Sequence, residues 1–455
     1  MSTSKPNIIL VNCDDLGYGD LGCYGSTLNR TPTLDRMAQE GIRFTDFYMA
    51  SPVCSPSRGA MMTGCYPKRI GFADFDGKIV LFPGQRVGLN ADEITVAEIL
   101  KEQGYATMLV GKWHCGDQPE FMPTRHGFDH YYGIPYSNDM GRQPGRENRF
   151  PPLPLLCDED VIQEQPDQAA LTERYVEQAV RFIRNNREQP FFLYFAHMYV
   201  HLPIYPPEAF LKQSENGRYG GAVEHIDWSM AVILDELQRL GLDDNTLVVF
   251  TSDNGSRGSE GGSNVPLRGR KGTTWEGGQR VPCLMRFPGR IPAGIVNSEI
   301  ATAMDFLPTF AGLAGANAPS DRAIDGEDIR PLMYEASGTG SPHRTFFYYS
   351  GENIEAVRSG KWKLHVRKGN EEIRELYDLE SDIGETNNLF DRHPDVVNAL
   401  EAELQACQED IGDKAVGAGG ANCRPIGAVE NPEPLTEYDP DHPYIIAMYD
   451  LPDAG

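Results

Sequence analysis

The chain has 455 residues, of which 40% are hydrophobic and 24% are charged, and its formal net charge is −25. This composition is typical of folded soluble proteins, and the length exceeds what one hydrophobic core usually holds, so we expect two domains. Because nucleic acid and anionic membrane surfaces would repel so acidic a protein, the charge excludes both as expected partners, and an anionic small substrate would need a local cluster of cations.

Four apolar blocks, each followed by polar groups, predict strands that are buried on both faces. They are, in chain order, residues 7–15 (NIILVNCDD), 105–114 (YATMLVGKWH), 190–201 (PFFLYFAHMYVH) and 245–255 (NTLVVFTSDNG). Helical patterns lie between them at 95–104, 169–188 and 222–241, and Gly104 and Gly241 stand where helix C-caps are expected. Alternation of strands and helices predicts an α/β fold with a mainly parallel sheet covered on both faces.

The other segments predict loops and a second domain. Residues 136–167 form a Pro-rich polar excursion of the kind that rims a pocket, and the Gly-rich stretch 252–282 carries five cations and indicates an active-site loop. Residues 316–344 resemble a connection, after which three segments predict antiparallel strands and residues 395–410 predict a helix. We therefore expect a large domain at 1–335 and a small C-terminal α+β domain at 336–455.

The polar groups that follow the four strands are expected to meet, because ligands of parallel sheets bind beyond the carboxyl ends of the strands. These groups are Asp14 and Asp15, Lys112 and His114, His201, and Asp253 and Asn254. The acids and the asparagine offer only oxygen donors, which suit calcium or magnesium better than zinc. Each pair alone would also fit solvated acids or turn formers, and it is their combination that favours a metal site.

The segment 51–64 (SPVCSPSRGAMMTG) places Cys54 close to Arg58 at a predicted helix start. Both the cation and the helix N-terminus favour a thiolate, so the pattern predicts a thiol with a lowered pKa that could act as a nucleophile. The alternative is a buried thiol in a Pro-rich turn.

The nine cysteines show no C-x-x-C spacing, which favours reduced thiols over a disulfide framework. The first residues lack the apolar core of a signal peptide, and no run approaches the ~18 apolar residues of a membrane span. We therefore expect a cytoplasmic protein. The oligomeric state is open, and a homo-oligomer is compatible with the sequence.

Several spaced motifs make the sequence resemble the formylglycine-dependent sulfatases of the alkaline phosphatase superfamily. They are CSPSR at 54–58 followed by Thr63 and Gly64, GKWH at 111–114, and the block LRGRKGTTWEGGQRVP at 267–282. The stretch GIPYSND at 133–139 is most similar to the arylsulfatase A branch. The resemblance runs from the first strand to about residue 310 and continues weakly beyond it. It implies an alkaline phosphatase-like fold and a hydrolase of sulfate monoesters, of aryl or similar small organic type.

The resemblance also implies a role for each matching residue. Asp14, Asp15, Asp253 and Asn254, together with the side chain of residue 54, match the ligands of a divalent ion, usually calcium and less often magnesium. Cys54 matches the residue that a formylglycine-generating or sulfatase-maturing enzyme oxidises to formylglycine, and Arg58 matches the cation held against the aldehyde hydrate. The matches to the other polar groups around the sulfate are Lys112, His114, His201, Lys271 and, near the hydrate, Ser137.

The chemistry of a sulfate ester agrees with these roles. The ion and the cations would neutralise the sulfate oxygens while one hydroxyl of the hydrate attacks sulfur, and Lys271 or His201 would protonate the leaving group. The resulting covalent sulfate ester of residue 54 needs no attack by water, because the second hydroxyl, deprotonated by His114, allows sulfate to be eliminated and the aldehyde to return.

Several alternatives stay open at this point. A phosphate or phosphonate monoester hydrolase could use the same nucleophile, and a non-catalytic anion-binding homologue could leave Cys54 unmodified. His197 fits the motif less well than His201 and is expected to be structural, as is His225, while Arg268 and Arg270 could bind the anion or be solvated. The chain departs from the family signature at Met61, Met62 and Cys65, where we expect two leucines and an arginine. Methionine replaces leucine in a core at little cost, whereas loss of the arginine leaves a structural contact in doubt.

Overall fold

The computed structural model describes residues 5–142, 149–334 and 339–436. A ten-stranded sheet in the order β12-β2-β11-β10-β1-β9-β5-β6-β7-β8 forms its centre, and five of its nine neighbouring pairs are parallel. The strands of this sheet are β1 (Asn7–Cys13), β2 (Ile42–Phe44), β5 (Ala106–Gly111), β6 (His130–Gly133), β7 (Pro154–Cys157), β8 (Asp160–Glu164), β9 (Phe191–Ala196), β10 (Thr246–Ser252), β11 (Cys283–Arg286) and β12 (Ile295–Asn297). Two small pairs join β3 (Phe47–Tyr48) to β13 (Ala301–Thr302) and β4 (Val87–Gly88) to β18 (Gly427–Ala428).

Helices cover both faces of the sheet and enclose one hydrophobic core on each side. Apolar residues of α2, α3 and α8 pack on one face, and those of α1, α4 and α6 pack on the other. The helices are α1 (Pro32–Glu40), α2 (Cys54–Thr63), α3 (Val96–Glu102), α4 (Leu171–Asn185), α5 (Glu208–Gln213), α6 (Gly217–Arg239), α7 (Glu276–Gln279), α8 (Phe306–Ala314), α9 (Arg330–Tyr334) and α10 (Pro394–Asp410). The predicted α/β class with a mainly parallel, doubly covered sheet is confirmed.

The four apolar blocks form β1, β5, β9 and β10, which are neighbours at the centre of the sheet and are mutually parallel. Gly104 and Gly241 adopt the left-handed backbone, with φ of 82° and 69°, as the predicted helix ends require. The prediction was incomplete at 136–167, where the hairpin of β7 and β8 adds two edge strands. Since most of β8 is exposed, it lacks the apolar run on which the prediction depended.

The C-terminal part forms the expected antiparallel sheet and helix. The sheet order is β14 (Phe346–Ser350), β15 (Asn353–Ser359), β16 (Trp362–Lys368) and β17 (Glu371–Asp378). Residues Leu400 and Leu404 of α10 pack on this sheet in a third hydrophobic core. The predicted domain boundary at 335/336 lies outside the described residues. Among the helices of the described ranges, none has the length and apolar character that crossing a membrane requires.

Candidate functional site

The carboxyl ends of β1 and β10 bring four polar residues together. The two strands are parallel and pair as far as Cys13 and Ser252, so the residues that follow leave the sheet side by side. The backbone N–H of Asp253 donates to the carbonyl of Cys13 at 2.9 Å, and that of Asp15 donates to Asp253 Oδ1 at 3.3 Å. Asn254 Nδ2 donates to Asp15 Oδ1 at 2.8 Å. The pairs Asp14–Asp15 and Asp253–Asn254 are therefore in direct contact, although about half of the chain separates them.

Three oxygens of this group are buried without a hydrogen-bond partner in the described ranges of the chain. They are Asp14 Oδ1, Asp15 Oδ2 and Asn254 Oδ1. Unpaired buried oxygens are costly unless another group satisfies them. Oxygens of Asp14 and Asp253 also lie within 4.8 Å of each other and of Cys54 Sγ. An all-oxygen set of this kind fits a hard divalent cation, so Asp14, Asp15, Asp253 and Asn254 have the donor chemistry expected for calcium or magnesium.

Three cations surround the carboxylates. Arg58 is fully buried, and its Nε and Nη2 each lie 2.8 Å from Asp253 Oδ2. Lys112 Nζ donates to Asp14 Oδ2 at 2.5 Å and to Ser137 Oγ at 2.7 Å. Lys271 Nζ lies 2.5 Å from Asp15 Oδ1. Each carboxylate thus has one oxygen facing a cation of the chain.

These pairs shift the ionisation of the site. Burial opposes the charge of Asp14, but Lys112, His201 and Arg58 outweigh it and hold the pKa of this carboxyl well below its usual value. Burial, reinforced by the charge of Asp14, raises the pKa of Asp253 to about 6. Burial also works against the charge of Lys271, yet Asp15 raises the pKa of this ammonium above its usual value, so Lys271 remains protonated at neutral pH.

Cys54 is the first residue of α2 and is only 2% exposed. Burial raises the pKa of its thiol even though Lys112 and Lys271 oppose the shift, so the expectation of a lowered pKa was wrong. The sequence shows Arg58 close to the thiol, whereas in the fold the guanidinium faces Asp253 and donates to the carbonyl of Lys112 at 2.7 Å. An unmodified Cys54 is therefore a neutral, weakly nucleophilic thiol at physiological pH.

The two predicted site histidines are buried and have defined tautomers. His114 Nε2 lies 3.0 Å from the carbonyl of Leu81, which can only accept, so Nε2 carries the hydrogen. The lone pair of Nδ1 has no hydrogen-bond partner among the residues that the structure describes. His201 Nδ1 lies 2.6 Å from the carbonyl of Leu202 and is therefore the protonated nitrogen of that ring. Burial, and then Lys112 for His114 and Lys271 for His201, lowers the pKa of each imidazole, so both are neutral at pH 7.

Two residues of the site have strained backbones. Asp15 and His114 adopt left-handed φ angles of 61° and 63°. This conformation is uncommon for residues other than glycine and costs roughly 1–3 kcal/mol where the surrounding structure enforces it. Here the hydrogen bonds of Asp15 to Asp253 and of His114 to Leu81 hold the strained segments in place.

A cavity of about 440 Å³ opens over Cys54. Ser137, His201 and Lys271, all predicted from the sequence, line it. The loop that carries Lys271 is fixed by two backbone hydrogen bonds, from Lys271 N to the carbonyl of Ser256 at 3.0 Å and from Gly272 N to the carbonyl of Pro52 at 2.9 Å. The segment 252–282 therefore lies beside the cavity, as the sequence predicted for an active-site loop, and it contains one short helix, α7, near its end.

Two other histidines considered in the sequence analysis, His197 and His225, make structural contacts outside the cavity. His197 is buried between Thr172 Oγ1, 3.1 Å from Nε2, and the backbone N–H of Tyr199, 3.0 Å from Nδ1. His225 stacks on Phe210 with ring centroids 4.4 Å apart. Neither ring lines the cavity over Cys54.

Of the two loop arginines, Arg270 lines the cavity, whereas Arg268 stacks on Trp275 at 3.6 Å and donates to the carbonyl of Glu385 at 2.8 Å. Arg268 therefore joins the loop to the C-terminal part, so neither anion binding nor full solvation describes it. At the departures from the family signature, Met61, Met62 and Cys65 are fully buried in one core.

Sequence reasoning missed several residues of the cavity wall. Asp139, Met140 and Arg257 line it, as do Ile79, Val80 and Phe82 of a segment that had drawn no prediction. The motif GIPYSND ends at Asp139, and this position was the available signal for that residue. Nothing local distinguishes Arg257 or Ile79 from ordinary loop residues, so their place depends on the fold.

Comparisons with known proteins agree with this geometry. A family model described as Sulfatase matches residues 6–316, and one described as N-sulphoglucosamine sulphohydrolase, C-terminal, matches residues 270–410. The chain is 39% identical to human arylsulfatase A, over 91% of this chain and 89% of that protein. It is 43% identical to dog N-acetylgalactosamine-6-sulfatase, over 79% of this chain and 71% of that protein. The crystal structure of Ps i-CgsB in complex with k-i-k-neocarrahexaose superposes with a TM-score of 0.81 at 31% identity, covering 90% of this chain and 94% of that one.

Proposed function

The chain belongs to the sulfatase family, and from that premise we propose that it hydrolyses sulfate monoesters, including small aryl sulfates, with formylglycine at position 54 and a bound divalent cation, calcium rather than magnesium. The observation that carries the proposal is the position of Cys54. Its Sγ lies within 4.8 Å of oxygens of Asp14 and Asp253, inside a cavity lined by Lys271 and His201. A nucleophile beside a cation site and a cluster of cationic side chains is the arrangement that sulfuryl transfer requires.

The unreactive state of the thiol supports modification of Cys54. A buried neutral thiol attacks a sulfate ester poorly, and a sulfate bound to sulfur would still need water to release it. When residue 54 carries formylglycine, its hydrated aldehyde supplies an attacking hydroxyl together with a second hydroxyl through which sulfate can leave. The proposal therefore includes a maturation enzyme as a partner of the unfolded or newly made chain, since residue 54 is buried after folding.

The cation site and the charged side chains share the task of binding the sulfate. Held by Asp14, Asp15, Asp253 and Asn254, the cation would supply Lewis-acid stabilisation of negative oxygen. Lys271, which lines the cavity and stays protonated, would bind and orient a sulfate oxygen. These interactions reverse, within the cavity, the repulsion that a chain of charge −25 exerts on an anion.

The proton transfers fall to three side chains. Lys271 and His201 both line the cavity, but only Lys271 stays protonated and is positioned to deliver a proton to the departing alcohol or phenol, whereas neutral His201 has to take up a proton before it can donate one. His114 is neutral, and its Nδ1 lone pair, which has no partner in the described ranges, suits the removal of a hydroxyl proton during release of sulfate. The backbone strain at His114 fits such a role, because strained residues concentrate at functional sites.

The rival activity is hydrolysis of phosphate or phosphonate monoesters. A two-metal phosphatase needs free carboxylate oxygens for its second ion. Here Lys112 Nζ lies 2.5 Å from Asp14 Oδ2, and Lys271 Nζ lies 2.5 Å from Asp15 Oδ1. These ammonium groups disfavour a second metal ion at the same two oxygens. We expect calcium-loaded enzyme to turn over 4-nitrophenyl sulfate faster than 4-nitrophenyl phenylphosphonate, and the reverse order would support the rival.

Peptide mass spectrometry across residues 51–69 of protein from the native host, combined with sulfate release from 4-nitrophenyl sulfate, tests the proposal. We expect an aldehyde at residue 54 and hydrolysis that is lost in Cys54→Ala. An intact thiol in fully active protein would refute the nucleophile. An intact thiol in protein that hydrolyses nothing would support the anion-binding alternative. The cytoplasmic location and the oligomeric state stay predictions, which fractionation of the native host and light scattering would test.

A further inference from the structure

We propose that Asp20 is a positioning residue for the cation site: its carboxylate joins the turn that follows β1 to the loop that follows β10, and thereby sets the affinity of the site for calcium. This inference rests on the proposed function and adds a residue outside the set of ligands. Asp20 does not bind the cation in this proposal. It acts through the backbone of the two segments that carry the ligands.

The carboxylate of Asp20 is fully buried and accepts hydrogen bonds from three parts of the chain. Oδ2 accepts from the backbone N–H of Gly17 at 2.7 Å and from the hydroxyl of Tyr219 at 2.5 Å. Oδ1 accepts from the backbone N–H of Ser263 at 2.8 Å. Gly17 belongs to the turn after β1, Ser263 to the loop after β10, and Tyr219 to α6. One side chain therefore fixes these three segments relative to one another.

Within the described ranges, the carboxylate of Asp20 has only neutral hydrogen-bond partners. The carboxylates of Asp14, Asp15 and Asp253, by contrast, each face a lysine or an arginine. Burial raises the pKa of Asp20 to about 7, although its hydrogen bonds oppose the shift. A buried carboxylate without a cation costs stability, and groups of this kind concentrate at functional sites.

On the side of the turn, Asp20 supports the strained backbone of a ligand. Asp15 has a left-handed φ of 61°, and its N–H donates to Asp253 Oδ1 over a long distance of 3.3 Å. Two residues further on, the hydrogen bond from Gly17 to Asp20 closes the turn. A strained residue keeps its conformation where its surroundings hold it, so this contact helps to fix the direction of the Asp15 carboxylate.

On the side of the loop, the peptide groups around Ser263 are held twice. The N–H of Ser263 donates to Asp20, and its carbonyl accepts from the N–H of Gly19 at 2.9 Å. The approach is so close that a Cβ added to Gly17 would lie 2.2 Å from the same carbonyl oxygen. Turn and loop therefore pack backbone against backbone, and a change at Asp20 acts on both.

The loop transmits this constraint to the ligand Asn254 through Asn264. Asn264 Oδ1 accepts from the N–H of Ser256 at 2.9 Å, and Asn264 Nδ2 donates to the carbonyl of Ser256 at 2.8 Å. Ser256 lies two residues after Asn254, and its carbonyl also accepts from the N–H of Lys271 at 3.0 Å. The segment next to Asp20 is thus joined by hydrogen bonds to the asparagine ligand and to the lysine of the cavity.

Calcium binding to the full chain tests the inference. The protein is treated with EDTA, dialysed and titrated with calcium by calorimetry, after mass spectrometry has shown that all variants carry the same fraction of formylglycine. Asp20→Asn keeps the size of the side chain but replaces one acceptor with a donor, so one of its hydrogen-bond donors loses its acceptor. We expect the Kd for calcium to rise by about tenfold, the lower end of the range for groups that orient metal ligands, because Asp20 acts through the backbone.

Asp227→Asn is the matched control. Asp227 is buried on α6, the helix of Tyr219, and accepts from the backbone N–H groups of Thr33 and Leu34 at 3.2 and 2.8 Å. Both substitutions should lower the urea midpoint of the calcium-free protein, but Asp227→Asn should leave the Kd for calcium unchanged. A purely structural role of Asp20 would move the urea midpoint alone, so the two measurements separate positioning from folding.

Tyr219→Phe provides a milder variant, because it removes one of the three hydrogen bonds and keeps the carboxylate. We expect the Kd for calcium to rise by about threefold, and to rise little further when the substitution is added to Asp20→Asn, since the hydroxyl acts through that carboxylate. If Asp20→Asn does not fold, Tyr219→Phe decides the question, and an unchanged Kd in this variant overturns the inference.

The outcomes distinguish this inference from the proposed function. Wild-type calcium affinity in folded Asp20→Asn would overturn the inference and leave the proposed function standing. Wild-type protein with confirmed formylglycine that binds neither calcium nor magnesium would remove the cation site itself, so the inference would fall together with that part of the proposed function.

Discussion

Replacing Lys363 with methionine is expected to weaken the fold and the catalytic loop together. Lys363 lies on β16 and is fully buried. Its Nζ donates to the carbonyl of Thr274 at 2.9 Å and to Glu276 Oε1 at 2.8 Å, and it lies 2.9 Å from Glu385 Oε1. One ammonium group of the C-terminal sheet thus holds the loop only three residues beyond Lys271.

The structure sets the size of the effect. Removing one partner of a buried ion pair costs ~3–5 kcal/mol because it leaves an uncompensated charge. Glu276 keeps Arg280, whose Nη1 lies 3.2 Å from Oε2, and the pKa of Glu385 is already raised by burial, so this carboxyl can take up a proton. Both features reduce the loss, and we expect a fall in the free energy of unfolding of about 3 kcal/mol, the lower end of that range.

The activity should fall as well, because Thr274 loses the hydrogen bond that fixes the loop. A displacement of about 1 Å at a catalytic group can cost up to about a hundredfold in rate, so we expect a decrease in kcat of at least about tenfold at temperatures where the variant is folded. Urea unfolding followed by tryptophan fluorescence measures stability, and hydrolysis of 4-nitrophenyl sulfate measures kcat.

Lys361→Met is the matched control. Lys361 makes the same kind of contact in the same hairpin, with Asp378 at 2.7 Å, but 39% of its side chain is exposed. Exposed pairs contribute little, so this variant should unfold and react as the wild type does. Wild-type kcat in folded Lys363→Met would refute the link between the C-terminal sheet and Lys271, and an unchanged urea midpoint would refute the buried-pair argument.

Three further predictions follow from the site and its surroundings. EDTA should lower both the melting temperature and the rate of hydrolysis, and calcium at 100 times its Kd should restore ~2.7 kcal/mol of stability. The same calcium concentration should restore less stability in Asn254→Ala. Equal melting temperatures with and without EDTA would count against the metal site. Burial opposes the charge of His343, but Asp305, 2.7 Å away, outweighs it and raises the pKa of the imidazole, so its stabilisation is complete below about pH 6.5 and is lost as the pH rises through the raised folded-state pKa. His343→Gln should therefore destabilise the protein more at pH 5.5 than at pH 9, and a pH-independent difference would contradict this sign. His197→Gln should lower the melting temperature but keep kcat, since burial lowers the pKa of His197 to about 3 and the ring contacts only structural groups; a large loss of kcat in folded protein would make it a participant.

The central strands of the sheet could be predicted because a strand that is buried on both faces needs apolar residues at successive positions, and such runs are visible in the sequence. The apolar blocks around Leu10 and Val249 have the pattern of central strands, and they pair with each other in the sheet. The edge of the sheet has no such signature. Val296 in β12 is 55% exposed, and β8 is mostly polar, so those strands exist because a neighbouring edge offers hydrogen bonds. Their pairing is a property of the assembled sheet.

The same distinction applies to the site. Residues at the ends of central strands, such as Asp14 and Asp253, could be placed together from the rule that parallel strands share one functional edge. The direction of the Cys54 pKa shift could not be predicted from the sequence. The sequence shows that Arg58 is nearby, but it does not show that the thiol is buried or that the guanidinium of Arg58 faces Asp253. Arg257 and Asp139 were missed for a related reason, since only the folded loops bring them into the wall of the cavity over Cys54.

The charges of the site explain why anion binding should depend on the metal ion. Three carboxylates, of Asp14, Asp15 and Asp253, face three cations, Arg58, Lys112 and Lys271, while the two histidines are neutral. These three acids and three cations balance one another, so the short-range attraction for a sulfate that remains comes from Arg257 and Arg270 of the cavity wall, which Asp139 partly offsets. Around them lies a protein of net charge −25, which repels it. A divalent cation at the proposed site would add two further positive charges, so we expect substrate affinity to fall when the metal is removed.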